Sequence, residues 1–294
     1  MKKKPVHACD GRNSFLPDLH FLQDALFLAH AACACYEDDP ARYKGFQRLG
    51  FDSIVTFAPD GHRHGESARG YIGANENAIV LAFRGTDDVA DWLTNLNVVQ
   101  IEDHGARVHR GFFRALAVVW PGIETTLQSL LDRRHRKIWV TGHSLGGALA
   151  TLAALHLQRI GVRPLETLTF GQPRVGNRTL AGQITSPLYR FAYYADPVCL
   201  APFSVPRTMH YKHAGTLQRI DATGRIVDQD SHFLVRVLSK VLSAKQAADD
   251  FFDNELKAFI ANRINDHSMT NYIEKIDRNV LRLGLSNEEQ LLLR

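Results

Sequence analysis

Apolar residues recur at helical spacing over residues 19 to 36, where Phe21, Ala25, Leu28 and Ala32 fall on one stripe, and this predicts an N-terminal helix. Two strand-like runs follow, Ser53 to Phe57 and Ser67 to Ile72. Pro59-Asp60-Gly61 divides them as a turn, because proline presets one backbone angle and glycine accepts the left-handed one. Ala78 to Phe83 is apolar at every position, as expected of a strand covered on both faces. The period lengthens again from Phe112 to Leu131, predicting a helix. Lys137 to Thr141 then reads as a second buried strand, with a helix over Leu145 to Gln158 after it. Leu165 to Phe170 and Tyr189 to Tyr194 are further strands, and Tyr211 to Ile226 is expected to be a hairpin turning near Ala222-Thr223-Gly224. Repetition of strand, helix, strand implies an α/β fold, a mostly parallel central sheet with helices on both faces. No internal repeat and no Ser/Gly-rich linker interrupts it, so a single domain is expected.

A last stretch, Phe233 to Ile264, carries two helical stripes: Leu234, Leu238, Val241 and Leu242, then Phe252, Leu256, Phe259 and Ile260. Such stripes usually face a core, so two helices packed on the sheet are the first reading and a lipid-touching surface the second. Composition narrows the class. With 45% hydrophobic and 22% charged residues, disorder, collagen and coiled coil are excluded. The net charge of +4 is spread along the chain except at Arg133-Arg134-His135-Arg136-Lys137, which reads as a solvated helix end, so no nucleic-acid partner is expected. No apolar run approaches the roughly 18 residues of a membrane span. Lys2-Lys3-Lys4 resembles the start of a secretory signal, but Pro5, His7, Asp10 and Arg12 stand where its apolar region should begin. Four cysteines make no disulfide framework, and Cys33 and Cys35, two apart on a helix, face away from each other. A reducing compartment and a cytoplasmic location are therefore expected, with secretion by another route left open.

The chemistry concentrates at Gly142-His143-Ser144-Leu145-Gly146-Gly147, between an apolar strand and an Ala-rich helix. G-x-S-x-G in that setting is a sharp turn that lifts a serine above the sheet, and glycines are needed two residues to either side because side chains there would collide. His143 should point away from the hydroxyl and serve structure. Ser144 as a nucleophile needs a histidine base and an acid that orients it, in the order Ser, Asp, His. Asp196, after a strand and before Pro197, is the first candidate acid; Asp221, Asp228 and Asp230 are alternatives. His210, His213, His232 and His267 are candidate bases, with His267 first and His213 second. An oxyanion would be held by the backbone N–H groups of Leu145, at the helix start, and of Thr86, at the end of Phe83-Arg84-Gly85-Thr86. His62-Arg63-His64 beside Asp60 has the look of a metal site, but no third ligand follows at a useful spacing, and a polar hairpin tip is the better reading. No metal or organic cofactor is expected.

Six blocks occur in order: Phe83-Arg84-Gly85-Thr86, Val108-His109-Arg110-Gly111-Phe112, Gly142 to Gly147, Phe170-Gly171-Gln172-Pro173-Arg174-Val175-Gly176-Asn177, Asp196-Pro197-Val198, and Asp266-His267 with Tyr272. Together, over roughly residues 20 to 275, they resemble the class 3 lipase family, the fungal-lipase-like α/β-hydrolases. The resemblance implies a Ser144, Asp196, His267 triad, an oxyanion hole at Thr86 and Leu145, and triacylglycerol lipase-like hydrolysis of lipid esters. It implies a lipid or small ester substrate and transient contact with a lipid surface. Because plant members include phospholipid and galactolipid acyl hydrolases, the head group stays open, and a lipase fold turned binding or signalling module is the non-enzymatic alternative. The layout that follows is an N-terminal extension (1–18), a hydrolase domain (19–275) and a C-terminal tail (276–294). Within the domain, residues 87–107 are a candidate lid, with Val89, Trp92, Leu93 and Leu96 on one stripe, and 231–265 a helical insertion.

Overall fold

The computed structural model describes residues 17–58, 68–94, 96–131, 136–202, 210–227, 258 and 261–285. Its frame is an eight-stranded sheet. The strands are β1 (Ser53–Phe57), β2 (Gly70–Ala74), β3 (Ala78–Phe83), β6 (Lys137–His143), β7 (Glu166–Phe170), β8 (Leu188–Tyr193), β9 (Thr216–Ile220) and β10 (Ile226–Val227), side by side in that order. From β3 to β9 every neighbouring pair is parallel, while β1, β2 and β10 run antiparallel to their neighbours. A separate antiparallel hairpin joins β4 (Gln100–Asp103) to β5 (Ala106–His109). β3, parallel to β6 and covered on both faces, is the strand that reads as an unbroken apolar run.

Two apolar layers sandwich the sheet. On one face α4 (Arg110–Leu131) and α5 (Leu145–Arg159) bury Leu116, Ile123, Leu149 and Leu152 against Ile79, Leu81 and Val140. On the other, α1 (Leu19–Ala34) packs with the late helix α7 (Met269–Gly284), where Tyr272 and Ile276 meet Leu28, Phe170 and Phe191. Ala25, Ala29 and Ala32 of α1 are wholly buried, small side chains that let a helix lie close to the strands. Its first turn is fixed by Asp18, whose carboxylate accepts the Phe21 N–H at 2.8 Å. Two shorter helices are α2 (Asp39–Arg48), capped by Asp38, and α6 (Arg178–Gln183), capped by Asn177.

The predicted strands stand close to where the apolar pattern puts them, with three departures. The second strand runs from Gly70 to Ala74, with Ala68 and Arg69 before it, while Ser67 lies outside the described residues. Tyr211 lies outside the final hairpin, which is confined to β9 and β10; its neighbour Lys212 makes only an isolated bridge to Gly176. The proposed tail boundary at 275 cuts through α7, which continues to Gly284 with Ile276 and Asn279 buried. Among the described residues of 87–107 only α3 (Val89–Thr94) is helical, with Asp88 accepting the Asp91 N–H at 2.9 Å, and residues from Gln100 onward belong to the β4–β5 hairpin. Pro59 to Gly61, His62 to His64, and almost all of the 231–265 insertion lie outside the described residues.

Candidate active site

Because β3, β6, β7 and β8 are parallel, their carboxyl ends share one edge of the sheet. Phe83 stands opposite Gly142, and His143 opposite Phe170, so the residues just beyond each strand meet there. Loops at that edge of an open α/β sheet are where such folds build their sites.

Ser144 takes the turn between β6 and α5 with φ 59 and ψ −129, left-handed backbone that a residue with a side chain adopts only when its surroundings force it. Two glycines make this possible. A Cβ on Gly142 would lie 2.3 Å from the Gly146 carbonyl oxygen, and one on Gly146 would lie 2.3 Å from that of Phe83. The turn is fastened by the Ser144 N–H, which donates to Phe170 O at 3.0 Å. Leu145 follows as the first residue of α5, so its N–H has no acceptor within the helix and is available to an anion. Thr86 is half-buried beside this turn: a Cβ on its neighbour Gly85 would lie 2.7 Å from His143 O and 3.1 Å from the Ser144 Cβ.

Asp196 and His267 come together from elements 71 residues apart, with His267 Nδ1 at 2.8 Å from Asp196 Oδ2 and both side chains almost wholly buried. The same oxygen accepts the Tyr272 hydroxyl at 2.6 Å, and Oδ1 accepts the Val198 N–H at 2.9 Å. Burial alone would raise the Asp196 pKa. The attraction of His267 and the hydrogen bonds from His267, Tyr272 and Val198 outweigh it and hold the carboxyl below its ordinary value. Burial, reinforced by the nearby Asp196 charge, pushes the Tyr272 phenol well up, which keeps it a donor. Since the carboxylate only accepts, His267 Nδ1 carries a hydrogen, which in the neutral tautomer of the ring leaves Nε2 as the acceptor. Ser144 Oγ and His267 Nε2 are both buried and make no hydrogen bond among the described residues.

Of the other candidates, the described ones are engaged elsewhere or exposed. Asp221 is spent on the β9–β10 turn, accepting from Thr223 N, Thr223 Oγ1 and Arg225 N at 2.8, 2.7 and 3.0 Å. His210 is exposed, and His213 faces the Cys199 carbonyl oxygen at 2.8 Å in place of a carboxylate. Asp228, Asp230 and His232 lie outside the described residues. Among the described residues no group of three His, Cys, Asp or Glu is arranged to hold a metal, and Cys33, Cys35 and Cys199 are free thiols.

His143 is more than a spacer. Its Nε2 lies 2.7 Å from the His267 carbonyl oxygen, its Nδ1 2.8 Å from the Tyr36 hydroxyl, and its ring stacks on that of His267 with centroids 4.3 Å apart. Sequence reasoning missed Tyr36. Tyr272 was visible only as part of a motif without a role. Neither contact leaves a local trace, because the Tyr36–His143 pair spans 107 residues.

Burial, with the neighbouring His267 adding to it, lowers the His143 pKa to about 3, and burial lowers that of His109 to about 4. Both stay neutral in the folded protein, whereas in the unfolded chain each takes up a proton below about 6.5. The unfolded state therefore binds more protons in this window, and stability rises with pH and is lost as pH falls below 6.5. At pH 5 each histidine removes about 2 kcal/mol. Denaturant midpoints between pH 7 and 5 should record this loss, and replacing His109 by a neutral residue should flatten the slope.

A mostly parallel sheet with a serine on a positive-φ elbow, and a carboxylate–imidazole pair at the same edge, is the α/β-hydrolase fold. Residues 80–206 match the family model described as Lipase (class 3). The chain is 36% identical over 167 residues to secreted mono- and diacylglycerol lipase 1 of Fusarium solani, covering 53% of this chain and 48% of that one. It superposes on the mono- and diacylglycerol lipase of Aspergillus oryzae with a TM-score of 0.58 at 28% identity, covering 71% and 83%. It also superposes on a triacylglycerol lipase described as having a serine protease triad for its catalytic centre, with a TM-score of 0.60 at 25% identity, covering 68% and 80%. Over residues 80–206 the chain is similar to the class 3 lipases. It spans about half the length of the sequence relatives it matches. The cytoplasmic location expected from sequence is overturned here, since the Fusarium relative is named as a secreted lipase. Composition at the N-terminus and a cysteine count were weak guides to compartment.

Proposed function

We propose that this chain hydrolyses carboxylic esters of lipids, fatty-acyl glycerol esters foremost, through Ser144, His267 and Asp196. The observation that carries the reading is the buried Asp196–His267 pair at the same sheet edge as a serine held on a positive-φ turn. In this reaction His267 Nε2 takes the Ser144 proton as Oγ attacks the ester carbonyl. The tetrahedral oxyanion is held by the N–H groups of Thr86 and Leu145. Asp196 keeps the ring in the right tautomer and stabilises its positive form. His267 then protonates the departing alcohol, and a water activated by the same ring releases the fatty acid. No step calls on a metal or an organic cofactor. The names of the relatives, lipases of mono-, di- and triacylglycerol, support the substrate class.

We read α3 as the cover of the site. None of its residues is buried, Trp92 stacks on Phe112 with ring centroids 6.1 Å apart, and Ser144 and His267 are closed to solvent. Such an arrangement suits a flap that opens against a lipid surface.

A fluorophosphonate probe should label the protein once per chain, with the adduct mapped by mass spectrometry to Ser144. Hydrolysis of diacylglycerol, phospholipid and a short-chain ester, each above and below micelle formation, then ranks the head groups. An unlabelled protein would refute the hydrolase reading and favour a binding module. A rate that does not jump at the interface would refute the flap.

A further inference from the structure

We propose that Tyr36 and His143 are positioning residues that lock base, nucleophile and oxyanion strand end into one geometry through the hydrogen-bond chain Tyr36–His143–His267. The proposal rests on the triad reading above and goes beyond it.

Proton bookkeeping fixes the direction of the chain. The His267 carbonyl oxygen can only accept, so His143 Nε2, 2.7 Å away, carries the hydrogen and donates it. Nδ1 of the same ring is then the acceptor, and the Tyr36 hydroxyl, 2.8 Å away, donates to it. This pattern holds only while the imidazole is neutral and the phenol protonated, and burial favours both forms.

Each link joins a different part of the site. His143 is the chain neighbour of Ser144 at the end of β6, so holding the His267 backbone fixes the loop of the base relative to the nucleophile. The bond from Asp196 to Nδ1 orients the imidazole ring but leaves the backbone beneath it to be held by something else, and His143 does so. The stacking of the two rings removes sideways freedom as well. Tyr36 extends the connection to β3. A Cβ on Gly85 would lie 2.0 Å from its hydroxyl oxygen, so this glycine, next to Thr86, rests directly on the phenol. The Arg84 guanidinium lies over the Tyr36 ring at 5.6 Å and also pairs with Asp87 at 2.5 Å. One tyrosine from the N-terminal helix region thus touches the approach to the oxyanion donor and, through His143, the loop of the base. Neither residue has reason to contact the ester; they act by position, where small displacements of reacting groups carry large rate penalties.

The test compares wild type with Tyr36→Phe, His143→Leu and His143→Gln on a soluble short-chain nitrophenyl ester, recording kcat, KM and the thermal midpoint. Phenylalanine removes one hydroxyl. Leucine removes the donor to His267. Glutamine places an amide N–H near the position of Nε2 and restores it. Tyr36→Phe should lower kcat about 10-fold and His143→Leu about 100-fold, with KM within about twofold of wild type. His143→Gln should recover to within about 5-fold of wild type. A Tyr36→Phe kcat within about twofold of wild type overturns the proposal, as does a His143→Gln variant no better than leucine. Should His143→Leu not fold, Tyr36→Phe decides alone. If wild type reacts with the fluorophosphonate probe and Tyr36→Phe reacts equally fast, only the positioning role is lost. If wild type does not react at all, the triad reading fails and this proposal with it.

Discussion

Replacing Ser144 by alanine is expected to lower kcat on any ester substrate by at least about 10⁴-fold while leaving the fold intact. Among the described residues the hydroxyl makes no hydrogen bond, so its removal strands no partner there. The backbone at this position is strained with serine or alanine alike, because φ 59 disfavours any side chain with a Cβ. Stability measured by chemical denaturation should therefore stay within about 1 kcal/mol of wild type. Any residual turnover would come from the oxyanion donors and substrate binding acting on water. A variant that keeps a tenth of the activity would show that Ser144 is not the nucleophile.

Asp196→Asn is expected to cost about 10³ to 10⁴-fold in kcat, for a reason the hydrogen-bond pattern makes explicit. Both carboxylate oxygens accept: Oδ2 from His267 and Tyr272, Oδ1 from the Val198 N–H. An asparagine has one acceptor and one donor end. If its oxygen faces His267 and Tyr272, its NH₂ is set against the Val198 N–H. If it turns over, the NH₂ faces His267 Nδ1, forces the other tautomer and places a hydrogen on Nε2, where the base needs a lone pair. The negative charge that stabilises the imidazolium is lost in either case. Steady-state kinetics across pH would test this, since the loss should persist at every pH where the imidazole is neutral, the ratio of its two tautomers being independent of pH. Unchanged kinetics would remove Asp196 from the mechanism.

The central fold was legible because its strands are buried on both faces. Ala78 to Phe83 and Lys137 to Thr141 have no polar alternation to confuse with a helix, and each is followed by a turn with its own chemistry. The Ser144 elbow was legible because the turn demands glycines at fixed offsets. α2 was missed: its residues are polar, and Asp38 and Pro40 mark its start without an apolar stripe behind them. Among the histidines, the loop-to-helix setting near the C-terminus put His267 ahead of His213 and the family resemblance strengthened that order, while only the folded chain shows that His213 is committed to the Cys199 carbonyl. The contacts of Tyr36 and Tyr272 arise from tertiary packing of α1 and α7 on the sheet, and no periodicity reports them.

The complete enclosure of Ser144, and the near-complete enclosure of His267, has a consequence for how the protein meets reagents. Any molecule that reaches the serine does so through a conformer in which it is uncovered, and its apparent potency is scaled down by the fraction of time that conformer exists. Substitutions that merely loosen the covering would therefore raise reactivity toward unrelated acylating agents in equal proportion, leaving their ranking unchanged.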